Sequence, residues 1–142
     1  MKSSRTKLWR CPRCRRKFTK RNQAHSCLVH TVAQHFRGKD PRLRRIYELL
    51  ISRLRRVGGL RIDAVKSSIN LVSKYHFGGV SVRKNSLRVG FLSDERIEDE
   101  RILAALRVGP AKVAHWVRLL SSRDIDAQLL HWLKKAYLLQ SG

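Results

Sequence analysis

Cys11 and Cys14 stand in a Cys-Pro-x-Cys run that offers two thiolates from one tight turn. Cys27 returns after a short excursion, with His25 two residues before it and His30 three after it. Ten residues separate Cys14 from His25 and twelve separate it from Cys27, close to the spacing of small fingers. Zinc takes four nitrogen or sulfur ligands in a tetrahedron, so Cys11, Cys14 and Cys27 supply three and a histidine the fourth. If residues 20–31 are helical, Cys27 and His30 share a face; if the second pair comes from a turn, His25 and Cys27 pair instead. A segment this small has little core beyond the metal. Phe18 can pack against the site from the returning strand, and Trp9 can cover it or stack on an unpaired base. The Arg and Lys around the thiols lower their pKa and favour metal binding. A redox Cys-x-x-Cys usually opens a helix in a larger α/β frame, which is missing here. Four protein ligands make the expected Zn2+ structural, since a catalytic ion keeps one position open to water.

These residues sit in a very basic chain. Over 142 residues, 32 Lys and Arg face 10 Asp and Glu, a net charge of +22. Residues 1–39 contain no acid at all, and the first 60 hold eighteen basic residues against Asp40 and Glu48. Such a charge repels itself unless a polyanion neutralises it. Nucleic acid, DNA or RNA, is the commonest one, because phosphate contacts release condensed counterions. The basic arm with Lys2, Arg5 and Lys7 leads into Arg10, Arg13, Arg15, Arg16, Lys17, Lys20 and Arg21, which form the expected contact surface. Phosphate contacts position without specifying, so this surface predicts weak sequence preference. The other readings of the charge are a solvated surface, an acidic protein or anionic lipid.

The elements that must hold these groups follow from local pattern. A basic arm and zinc knuckle occupy residues 1–31, and a compact α+β domain occupies 32–142. Asp40 caps and Pro41 opens a helix carrying Leu43, Ile46, Tyr47, Leu50, Leu54 and Val57, with Gly58-Gly59 ending it through a positive φ. On that helix Arg42, Arg45, Arg53 and Arg56 fall within about 80° of one another, a stripe suited to a phosphate backbone or simply to solvent. Residues 69–72, 79–83 and 87–92 alternate as strands, and Lys84-Asn85-Ser86 turns the last two into a hairpin. Gly109-Pro110 separates 102–106 from 113–120, both read as strands. Ser122 or Asp124 caps a closing helix with Ile125, Leu129, Leu130, Leu133 and Tyr137. The expected architecture is α+β: zinc knuckle, helix, antiparallel sheet, closing C-terminal helix.

The run CPxC, Phe18, Asn22-Gln23-x-His25-Ser26-Cys27, then His35-Phe36 and Gly38-Lys39, resembles an uncharacterised family of bacterial proteins. The C-terminal part of that family is known as domain of unknown function 5655. Lys66, Ile69, Leu71, Phe77, Val117-Arg118-Leu119 and Ala136-Tyr137 fit that part. The resemblance implies that His25 pairs with Cys27. Arg15 departs from the family, which usually has glycine after the Cys-x-x-Cys. The resemblance implies architecture and no activity.

No phosphate loop, GxSxG or HExxH is present. Asp94, Glu95, Glu98, Asp99 and Glu100 are the densest acids, in a polar stretch where solvated charge is the usual explanation; Lys66, His76 and His115 are further polar groups in the second domain. The expectation is a non-enzymatic binding protein, with a protein-interaction scaffold in a nucleic-acid-containing assembly as the alternative and a nucleic-acid hydrolase third. No apolar run spans a membrane and no secretory signal opens the chain, so a reducing cytoplasmic setting is expected.

Overall fold

The computed structural model describes residues 8–12, 15, 17, 18, 20, 22 and 30–142. Chain contacts divide between His30 and Thr31 into an N-terminal and a C-terminal unit.

In the N-terminal unit, β1 (Trp9–Arg10) pairs antiparallel with β2 (Lys17–Phe18), with Trp9 opposite Phe18. Their rings lie 6.0 Å apart. The loop of this hairpin opens with Cys11 and Pro12. It is closed by the Arg15 amide donating to the Cys11 carbonyl at 2.8 Å.

The C-terminal unit begins with α1 (Val32–Phe36), capped by a reciprocal Thr31–Gln34 box. Gly38, at φ 73°, ends that turn and lets the chain reverse into α2 (Pro41–Leu54). Asp40 caps α2 by accepting from the Arg42 amide at 2.9 Å. Leu43, Ile46, Tyr47, Leu50, Ile51 and Leu54 bury its apolar face. The helix expected from Pro41 through Val57 stops at Leu54, and the short α1 ahead of it was not foreseen. Gly58-Gly59 does not end it by a positive φ. Gly58 is needed for a different reason: a Cβ there would lie 2.5 Å from the Tyr137 hydroxyl, which donates to the Gly59 carbonyl at 2.6 Å.

Six strands follow: β3 (Arg61–Ala64), β4 (Ile69–Val72), β5 (His76–Val82), β6 (Leu87–Ser93), β7 (Ala104–Gly109) and β8 (Lys112–Leu119). They form one antiparallel sheet in the order β3-β4-β5-β6-β8-β7. The strands expected around 69–72, 79–83, 87–92, 102–106 and 113–120 are all present, and β3 was not foreseen. A bulge between Leu71 and Val72 leaves Phe77 as the extra residue of β5. Phe77 is fully buried, edge-on to Tyr137 at 5.5 Å.

A single-turn 3-10 helix (Ser122–Asp124), capped by Ser121, leads into α3 (Ala127–Leu139). The cap of α3 is Asp126, not Ser122 or Asp124. Its carboxylate accepts from the Leu129 amide at 3.0 Å and takes the Arg101 guanidinium at 2.9 and 3.1 Å. Both interactions favour the carboxylate and hold Asp126 below its ordinary pKa, the Leu129 bond foremost.

The core lies between one face of the sheet and the helices. Ile69, Leu71, Val80, Leu87, Val89, Phe91, Val117 and Leu119 meet α2 and α3, where Leu129, Trp132, Leu133 and Ala136 are buried. Among the described residues, no helix is long and apolar enough to cross a membrane.

Candidate functional site

Cys11 is buried, while Arg10, Arg15, Lys17 and Lys20 around it are exposed. Arg15 has φ 65°, in the left-handed region that glycine enters most cheaply. Asn22, also left-handed at φ 56°, is a residue type that tolerates that conformation. His30 is half-buried at the end of the unit. Cys14, His25, Cys27, Arg13, Arg16 and Arg21 lie outside the described residues.

The arginine stripe of α2 is divided in its use. Arg42 is engaged at the surface: Nη1 donates to the Leu120 carbonyl and Nη2 to the Asn85 carbonyl at 3.2 Å, tying α2 to two sheet loops. Arg53 is half-buried, and Arg45 and Arg56 are exposed. Two further arginines of this helix serve structure. Arg44 lies over the Phe36 ring and pairs with Glu48 at 3.5 Å, and Arg55 donates to the Leu60 carbonyl at 3.1 Å.

The acidic run falls in the loop after β6. Asp99 accepts from the Arg101 amide and from Gln128 Nε2, both at 2.9 Å, and Glu98 pairs with Arg96 at 3.5 Å. Among the described residues, no three His, Cys, Asp or Glu side chains group where they could hold a metal.

His115 is fully buried, stacked on Phe91 at 5.4 Å. Its Nε2 accepts from the Ile97 amide at 2.9 Å, which places the proton of the neutral ring on Nδ1. Burial lowers its pKa below the ordinary histidine value, and the Arg96 charge adds to that. The Val113 backbone offsets the effect only in part. His115 thus pins the acidic loop to β8. Lys66 is exposed, and His76 lies at the mouth of a cleft on the other face of the sheet.

That cleft has a volume of about 210 Å³. Its walls include Ser68, Asn70, Ser81, Arg88 and Trp116, over a floor of Gly79 and Gly90. The Arg88 guanidinium lies 5.6 Å from the centre of the Trp116 ring. Along β8, Val113, His115 and Val117 alternate with Ala114, Trp116 and Arg118, which puts Trp116 on the face away from the core; the rest of the group comes together only through strand pairing.

A family model described as domain of unknown function (DUF5655) matches residues 32–140. The chain belongs to this family. No curated protein and no solved structure matches it. The DUF5655 domain takes in α1 through α3, hence the whole sheet and the Trp116 cleft. The cysteine and histidine segment precedes it.

Proposed function

We propose that this protein binds nucleic acid, DNA or RNA, mainly through the phosphate backbone, and that a structural Zn2+ folds its N-terminal knuckle. The observation that carries the reading is the division of roles in the knuckle. Cys11 is 3% exposed, whereas Arg10, Arg15, Lys17 and Lys20 all face solvent. A thiol drawn inward from a two-stranded hairpin with one aromatic pair fits a metal-centred core. Cys11, Cys14 and Cys27, with His25 or His30, would hold the ion. Bound there, Zn2+ supplies folding energy that so small a segment cannot draw from apolar burial. The chain's own residues do the rest. The hairpin spaces the cations, and Arg45 and Arg56 add exposed charge on the DUF5655 domain.

Affinity should fall steeply with salt, by roughly one counterion per phosphate neutralised. A titration of the full chain against duplex and single strands at 50 and 200 mM salt tests this; salt-independent binding, or none, overturns it. Metal analysis of the wild type and of His25→Ala and His30→Ala tests the ion. One equivalent of zinc in the wild type, lost in one variant, supports the reading and names the fourth ligand.

A scaffold role has one observation in its favour. The edge strand β7 exposes Leu106 and Val108, at 58% and 53%, with Leu103 beside it. A protein complex that survives nuclease treatment and is lost in Leu106→Lys would favour that reading.

A further inference from the structure

The face of the sheet turned away from α2 and α3 contains a slot built by register. Asn70, Gly79, Gly90 and Trp116 are successive partners across β4, β5, β6 and β8. The two glycines remove side chains from the middle of that row, and the Trp116 indole takes the space above Gly90, so the bare floor is the one strand at Gly79, ~5 Å wide. Gly90 cannot carry a Cβ without striking the indole, since Nε1 would be 2.9 Å away and Cδ1 3.0 Å. The Nε1–Cδ1 edge of the Trp116 indole therefore reaches over Gly90, and the ring forms one wall.

Arg88 reinforces that wall. Its Nε is buried and has no hydrogen-bond partner. A buried donor without an acceptor is a cost that an arriving acceptor relieves. Across the slot, the Asn70 amide is tethered by the Ser68 hydroxyl at 2.8 Å. Arg118, the register partner of Arg88, is exposed at the rim.

We infer that this cleft takes an unpaired nucleobase of a single-stranded nucleic acid, stacked against Trp116 and hydrogen-bonded at its edge by Arg88 and Asn70. The inference rests on the nucleic-acid reading above and narrows it to single strands. A flat aromatic wall accepts any base, because every base has a π face. The guanidinium and amide match the oxygen and nitrogen acceptors of a base edge. The strand's phosphates match the exposed Arg118. The volume of about 210 Å³ lies below the range of drug-sized pockets and suits one ring system. Duplex bases are paired and stacked, and do not reach such a slot.

The test uses the full chain and fluorescence anisotropy with three labelled probes of equal length: a single strand, its duplex and an abasic single strand. The base-bearing single strand should bind about tenfold more tightly than the abasic one. Trp116→Ala should abolish that preference and leave duplex and abasic binding unchanged, and Trp116→Phe should keep most of it. Asn70→Ala, on the opposite wall, should weaken single-strand binding alone, and it serves if Trp116→Ala does not fold. Salt-dependent binding that is equal for all three probes overturns the cleft and leaves the phosphate reading standing. No salt-dependent binding to any probe overturns both. A nucleoside monophosphate that binds as tightly as the single strand would also overturn the inference, since the cleft would then serve a free nucleotide.

Discussion

The indole of Trp116 occupies the space into which a side chain on Gly90 would project, with Nε1 2.9 Å from where a Cβ would stand. Gly79, its register partner, has no such neighbour; a Cβ there would meet the Asn70 Oδ1 and the Ile69 carbonyl at an ordinary 3.5 Å. Gly90→Ala should therefore destabilise the fold by about 1–3 kcal/mol through overpacking, while Gly79→Ala should be close to neutral. Urea midpoints of the two variants check this, and equal losses would contradict it.

A similar close approach joins the two helical ends. Tyr137 donates to the Gly59 carbonyl at 2.6 Å and lies over Gly58. Tyr137→Phe should cost about 1 kcal/mol. Gly58→Ala should cost more in the wild type than in the Tyr137→Phe background, because the hydroxyl is the atom a Cβ meets first. A double-mutant cycle in urea reads the coupling directly, and additive losses would show that the contact carries none.

His115 makes stability depend on pH in a definite direction. Its folded pKa is lowered by burial, so below about pH 6.5 the unfolded chain binds a proton that the folded chain refuses. This contribution is fully present above that pH and is lost as pH falls towards the folded pKa. The urea midpoint should drop between pH 7.5 and 5.5. His115→Gln, which can still accept from Ile97 but does not titrate, should flatten that part of the profile. An unchanged slope in the variant would assign the effect elsewhere.

Arg15 holds a left-handed conformation that costs a side chain roughly 1–2 kcal/mol and costs glycine little. Part of that gain is lost to the greater freedom of glycine in the unfolded chain. Arg15→Gly should stabilise the hairpin loop by about 0.5 kcal/mol, seen as slower exchange of the residue-15 amide that bonds to Cys11. Faster exchange would mean that the arginine side chain contributes more than its backbone costs.

Much of this protein is written locally. Asp40-Pro41 and the spacing of Leu43, Ile46, Tyr47 and Leu50 determine α2. Alternation and a polar turn determine the β5–β6 hairpin, and Gly109-Pro110 forces the break between β7 and β8. These features rest on backbone sterics and side-chain period, which a short window contains. The cysteine spacing likewise poses the zinc question without tertiary help. What the tertiary structure decided involves partners far apart in the chain. Arg42 reads as a surface cation until the Leu120 and Asn85 carbonyls come within its reach. Gly58 reads as a helix stop until Tyr137 arrives over it. Asp126 outcompetes Ser122 and Asp124 as the cap of α3 because those two are taken up in a turn of their own, and Arg101 completes its site. The Trp116 cleft exists only because four strands align Asn70, Gly79, Gly90 and Trp116 in one row. A shift of one residue in any pairing would send part of that row into the core, and the β6–β8 pairing that adds Trp116 joins strands that are not consecutive in the chain.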